Sequence, residues 1–250
     1  VWAGAPGVAT AFFRTAIASV VLALPFWRKR RSAVRMPRSS LWLAILAGIF
    51  YSVDMGLWAT GVTMSGAANP TLLANTAPVW VGIGAMLLFR ERLGIGFWVG
   101  LALAMSGAVL ILRVDHWNSV MRGTGSVYGL LAGVFYGGFF LAGQKARERL
   151  DTLSFFWITT VITACVLGVS TLLLGQPILG YATSTYVIFL VLGVITQAGG
   201  WLAINYALGL LPASTVAPMM LVQPVITAGL AHFLLGERLV PWQLLGGTAI

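Results

Sequence analysis

Charge is scarce in this 250-residue chain: Asp, Glu, Lys and Arg together make up 8%, where a water-soluble domain carries about 25%. Hydrophobic residues reach 59% and mean hydropathy is +0.92, so the chain is suited to lipid rather than water. Cysteine occurs once, at Cys165, which excludes an internal disulfide, and neither His116 nor His232 has Cys or His neighbours at metal-ligand spacing. No metal and no cofactor are therefore expected. Of the six acidic residues, Glu91, Asp115, Glu148, Asp151 and Glu237 fall at helix ends or in loops. That leaves no paired aspartates, Ser-His pair or HExxH helix for an intramembrane enzyme, and no GxxxxGK[ST] loop for ATP hydrolysis.

Long hydrophobic runs fill the chain instead. Crossing about 30 Å of hydrocarbon takes about 20 apolar residues, and such stretches are predicted near 7–27, 41–62, 68–89, 96–113, 125–145, 153–174, 184–209 and 212–235, with a shorter one at 241–250. The runs are continuous rather than alternating and too long for barrel strands, so the fold class is all-α, a polytopic membrane bundle. Thirty glycines suit it, because helices in lipid associate through small residues that let backbones approach. Gly125, Gly129, Gly133 and Gly137 recur every four residues, as do Gly96, Gly100, Ala104 and Ala108. Packing within the bundle is the expected use of both ridges, with a homodimer face as the alternative.

The chain also repeats itself. Shifted by 146 residues, Pro78-Val79, Glu91-Arg92-Leu93 and Gly100 fall on Pro224-Val225, Glu237-Arg238-Leu239 and Gly246, while Ala67, Ala85 and Leu88 fall on Ala213, Ala231 and Leu234. This duplication divides the chain into units at 1–113 and 125–250. The stretch 96–113 has its copy near 242–259, so the last helix is expected to be cut short. The stretch 125–145 has its copy before residue 1, so a first helix is expected upstream. An intact protein then has ten helices, five per unit. An odd number forces the second unit to enter the membrane upside down, giving the inverted repeat found in secondary transporters.

The net charge of +9 bears on topology. Arg28, Lys29, Arg30, Arg31, Arg35 and Arg38 lie between the first two runs, and the positive-inside rule puts that loop in the cytoplasm. Arg90, Arg92, Lys145, Arg147 and Arg149 fall on the same side, against Arg113, Arg122 and Arg238 on the other. The basic residues form no groove-like patch with interleaved aromatics, which argues against nucleic acid; contact with anionic lipid accounts for them.

Asp54 lies within a membrane run, where an ionisable carboxyl is costly and marks function by default. Arg14 lies at similar depth on the preceding, antiparallel run. Either the two form a structural ion pair or Asp54 binds a proton or a substrate amine. Tyr51, Asp54 and Trp58 share one helical stripe; their copies are Gln197, Gly200 and Ile204, and Trp201 and Asn205 extend that second stripe. Aromatics with amides suit a midplane pocket, although an aromatic stripe is also a packing device. Gln197, Asn205 and Gln223 are costly toward lipid and are expected to face the interior or water. Pro78 and Pro224 remove backbone donors at equivalent positions, leaving a carbonyl; the nearby Asn75 and Gln223 either satisfy it or bind cargo. They form a static kink or a hinge. Glu91, Glu237 and His232 read as interfacial residues, and His116 as a loop residue.

Residues 54–93, an apolar run reaching Ala77-Pro78 and closing on Glu91-Arg92-Leu93 before a Gly-rich helix, resemble the EamA domain of the drug/metabolite transporter superfamily. Residues 220–239, from Met220-Leu221-Val222-Gln223 to Glu237-Arg238-Leu239, resemble a second one. The resemblance implies ten helices and movement of small metabolites, often export of amino acids or drugs, across the bacterial inner membrane, with both termini of the intact protein cytoplasmic. The expected function is secondary transport of amino acids or related small molecules by alternating access. A multidrug or nucleotide-sugar-type transporter of the same fold, or a membrane receptor or scaffold without transport, are the alternatives.

Overall fold

The computed structural model describes residues 4–30, 36–112, 124–235 and 240–250, and every regular element among them is helical. Arg31, Arg35, Arg113, His116, Arg122, Glu237 and Arg238 lie outside the described residues. The chain forms α1 (Gly7–Arg30), α2 (Arg38–Ser65), α3 (Ala68–Ala74), α4 (Ala77–Leu88), α5 (Ile95–Leu112), α6 (Thr124–Arg147), α7 (Thr152–Leu173), α8 (Thr183–Val191), a π-helical segment (Leu192–Gly200), α9 (Trp201–Ala207), α10 (Ala213–Met219), a 3-10 turn (Met220–Val222), α11 (Gln223–Leu235) and α12 (Pro241–Ala249). Among the described residues, eight spans are long and apolar enough to cross a bilayer. The protein is a polytopic helical membrane bundle.

The spans that carry Pro78 and Pro224 are both broken rather than merely bent. Pro78 sits in the first turn of α4, where a missing N–H forfeits no helical bond. The chain therefore interrupts at Asn75 and Thr76, and the Thr76 hydroxyl donates to the Leu73 carbonyl at 2.6 Å. Pro224 likewise begins α11 behind the 3-10 turn, with Pro218 one turn earlier inside α10. The span at 184–209 contains an unexpected feature, nine residues of π-helix around Gln197. Such segments are rare and concentrate at functional sites.

Helices 146 residues apart in sequence are neighbours in space and run antiparallel. On α1 and α7, Lys29 meets Asp151, Phe26 stacks on Trp157 at 4.0 Å between ring centroids, and Phe12 lies over Gly168. On α5 and α12, Gly107 and Gly246 bring their backbones together. The two counterpart broken spans, 68–88 and 213–235, also meet, through α4 and α10, and α2 meets the π segment where Tyr51 touches its own counterpart, Gln197.

The glycine ridge of α6 is spent inside the bundle. A Cβ on Gly125 would meet Ser65 and the Gly61 carbonyl, one on Gly133 the Leu73 carbonyl, and one on Gly129 the Pro70 backbone at 2.6 Å. Because backbone cannot swing aside, Gly129→Ala must push α3 and α6 apart, an overpacking cost of about 1–3 kcal/mol. A lowered melting temperature in detergent is the expected result. Gly100→Ala is the control, since nothing lies within 4 Å of a Cβ there, and its melting temperature should match the parent. On α5 the ridge is only half used: Gly96, Gly100 and Ala104 line a groove with Ser214, Pro218 and Ile250.

The ends of the bundle differ in charge. Arg28, Lys29, Arg38, Arg90, Arg92, Lys145, Arg147 and Arg149 all lie at the end formed by the α1–α2, α4–α5, α6–α7 and α9–α10 connections, called here the basic end. There Asp151 caps α7 through the Leu153 and Ser154 amides and pairs with Lys29 at 2.8 Å. Burial alone would push the Asp151 carboxyl up. The hydrogen bonds from Lys29 and Ser154, with the Lys29 charge, outweigh it and hold the group below its ordinary 3.8. A depressed carboxyl contributes stability that is present above its unfolded value and lost as pH falls through the folded one. Thermal stability should therefore decline on acidification below about pH 4, and Asp151→Asn should flatten that decline.

Candidate functional site

Where α1, α2 and the π segment meet, apolar packing gives way to a buried polar cluster. Arg14 Nη2 donates to the Tyr51 hydroxyl at 3.3 Å and contacts Met55 Sδ at 3.1 Å; the Tyr51 hydroxyl donates to Gln197 Oε1 at 3.4 Å. Tyr51 is fixed from the other side by Trp201, 4.7 Å between ring centroids, and Phe139, 5.1 Å. Tyr136 packs on Trp201 at 5.9 Å, completing an aromatic wall from α6. The sequence stripe Tyr51, Asp54 and Trp58 thus meets its counterpart stripe at Gln197 and Trp201. Their meeting at one point follows from antiparallel packing of equivalent helices.

The cluster is not fully satisfied. Asp54 is 4% exposed, and Arg14 Nε and Gln197 Nε2 are buried without partners. An Arg14–Asp54 ion pair is one of the two readings the sequence leaves open, and the two side chains do not form a salt bridge here. Arg14 points its guanidinium at Tyr51 and Met55, leaving its charge to act on Asp54 through space. Unsatisfied buried groups are costly, by about 1–3 kcal/mol each, and native structures retain them where a ligand or water supplies the missing partner.

Above the cluster, toward the end opposite the basic one, a cavity of about 550 Å³ has Arg14 on its floor and Thr10, Met55, Trp58 and Leu192 among its walls. The Trp58 indole donates to Thr71 at 3.0 Å. Trp58 therefore belongs to the walls of this vestibule rather than to the buried cluster. A larger groove of about 660 Å³ between α2, α4 and α6 is lined by Leu43, Phe50, Trp80 and Leu141, with Lys145 as its lone ionisable residue. It is an apolar flank removed from the buried charges.

The remaining sequence candidates scatter. Asn205 is fully buried, but its amide donates back to the Trp201 carbonyl at 2.8 Å and Oδ1 stays unpartnered. Asn75 borders a separate cavity of about 120 Å³ with Thr76, Met105 and Leu221. Pro78 and Pro224 are buried at the helix breaks. Gln223 corrects the expectation of an inward amide. It is exposed and reaches only Met220 Sδ at 3.5 Å, because the 3-10 turn before Pro224 changes the helical phase on which that expectation rested. Among the described residues, no group of three or more His, Cys, Asp and Glu is placed to hold a metal.

A second polar network, at the basic end, escaped the sequence reading. Glu91 accepts from Gln144 Nε2 at 3.1 Å and from the Ser214 hydroxyl at 2.5 Å, while Gln144 Oε1 accepts from the Ala213 amide at 2.6 Å. This ties the α4–α5 connection, α6 and the start of α10 together. Arg90, in a left-handed conformation at φ 56°, presents Glu91 to the network. Beside it Arg147 donates to the Asn205 and Leu150 carbonyls and to Thr152, closing α6, α7 and α9 together. The one available signal was Gln144, an amide near the end of an otherwise small, aliphatic and aromatic stretch.

Comparison with known proteins agrees with this architecture. The threonine/homoserine exporter RhtA of Escherichia coli is 26% identical over 250 residues, covering 99% of this chain and 79% of that protein. A riboflavin transporter of Rhizobium johnstonii is 24% identical over 205 residues, covering 81% and 65%. An S-adenosylmethionine uptake transporter of Rickettsia prowazekii is 23% identical over 232 residues, covering 91% and 74%. The chain spans 44% to 79% of the length of such curated relatives. A solved crystal structure superposes with a TM-score of 0.82 at 14% identity, covering 98% of this chain and 85% of that one, which shows a shared fold. The EamA-like transporter family model matches residues 2–113 and 123–250. The chain belongs to the EamA-like transporter family.

Proposed function

We propose that this protein is a secondary transporter that carries amino acids or related small metabolites out across the bacterial inner membrane by alternating access. Its two working units are residues 1–113 and 125–250. The observation that carries this reading is the incompletely satisfied cluster of Arg14, Tyr51, Asp54 and Gln197 at the meeting point of antiparallel counterpart helices, beneath an open vestibule. A static packing core has no use for unpartnered buried charge, whereas a solute site does. The Glu91–Gln144–Ser214 network and Arg147 seal the basic end while the opposite end is open. With the basic end in the cytoplasm, this conformer faces outward. The breaks before Pro78 and Pro224 are then the hinges, and Asp54 carries the coupling proton.

Family membership supports transport, and the exporter RhtA supports amino-acid cargo. Reconstitution into proteoliposomes tests both. Labelled threonine and leucine should exchange across the membrane, faster with an imposed pH gradient. Exchange of riboflavin or a cationic dye without either amino acid would overturn the cargo; failure of every solute to move would overturn transport itself.

A further inference from the structure

Building on the transport reading, we propose that the cluster is a zwitterion cradle, in which Arg14 and Gln197 hold an α-carboxylate and Asp54 holds the adjacent α-ammonium. The chemistry of the unsatisfied atoms specifies this. Arg14 Nε and the Gln197 amide nitrogen are buried donors without acceptors. Asp54 is a carboxylate at 4% exposure beside them, within reach of the Arg14 charge. The carboxylate of a free amino acid accepts from the first two, and its ammonium donates to the third, so one small molecule satisfies all three groups at once.

Tyr51 keeps the two halves of the cradle apart. Its hydroxyl accepts from Arg14 Nη2 and donates to Gln197 Oε1, which leaves the buried Gln197 Nε2 as a donor without an acceptor and holds the guanidinium toward Tyr51 and Met55. A direct Arg14–Asp54 pair would have cancelled both charges and left nothing for a zwitterion to bind. The solute side chain is left in the vestibule, whose walls include Met55, Trp58 and Leu192. Recognition therefore falls on the backbone atoms shared by amino acids, and apolar walls admit several side chains.

The test compares analogues that lack one pole. In proteoliposomes of the wild-type protein, unlabelled threonine and leucine should compete with labelled threonine at least roughly tenfold better than threonine amide, which lacks the carboxylate, or N-acetylthreonine, which lacks the ammonium. Arg14→Gln should bring the acid and the amide to equal affinity, and Asp54→Asn should do so for threonine and its N-acetyl derivative. Because Arg14→Gln can fail to fold, the wild-type analogue series stands alone as a decision. Equal competition by threonine, its amide and its N-acetyl form would overturn the cradle. Movement of riboflavin or dye without competition by amino acids would overturn the cradle while leaving transport intact, and no movement of any solute would overturn both.

Discussion

Asp54→Asn is expected to lower solute exchange at least tenfold and to remove its dependence on a pH gradient, while leaving the protein folded. Asn has nearly the shape of Asp, so packing around residue 54 changes little. The substitution removes a charge that the fold buries at 4% exposure. Burying a lone carboxylate is expensive, and a neutral amide at that position costs less. Melting temperature in detergent should therefore hold or rise as activity falls. A residue serving stability alone gives the opposite pattern, with lower melting temperature and retained exchange. The pair of measurements, melting and exchange on the same preparation, separates the two roles. Exchange at the wild-type rate in Asp54→Asn removes this carboxylate from the mechanism.

Glu91→Ala is expected to open the basic end. Glu91 accepts charge-assisted hydrogen bonds from Gln144 and Ser214, and bonds to charged groups contribute about 1.5–3 kcal/mol each. Losing them from one conformer alone shifts its population by roughly tenfold or more. The reporter is Ala217→Cys, buried in α10 close to Ser214, in a background where Cys165 is replaced by Ser. A membrane-impermeant maleimide applied at the basic end should label it at least tenfold faster in Glu91→Ala than in the parent, with Glu91→Gln in between. Equal labelling in all three would mean that the network staples the fold and does not gate it.

Much of the architecture was legible because membrane helices announce themselves by length and the duplication by identical residues. Pro78 and Pro224 marked both breaks, since a missing N–H has a local consequence. The glycines of α6 marked a close helix contact, though not its partner. Sequence could place Tyr51 and Gln197 at matching positions, but only antiparallel packing of counterparts brings residue and copy into contact at 3.4 Å. What stayed hidden depended on phase or on long-range partners. The π segment changes the helical phase about Gln197, and the 3-10 turn turns Gln223 outward. The choice of Arg14 to engage Tyr51 and Met55 instead of Asp54 is decided by rotamers that no spacing encodes. Glu91, Gln144 and Ser214 lie 53 to 123 residues apart, so their network has no local signature.

Access to the cluster from both sides of the bilayer in turn is the central claim, and reporters at its two ends test it most directly. With Cys165 replaced by Ser, Trp58→Cys reports the vestibule and Ala217→Cys the basic end. Adding threonine should change the two labelling rates in opposite directions, each reagent acting from its own side of the membrane. Reporters that respond in the same direction, or that label from the same side, would contradict a solute path enclosed between oppositely oriented helices.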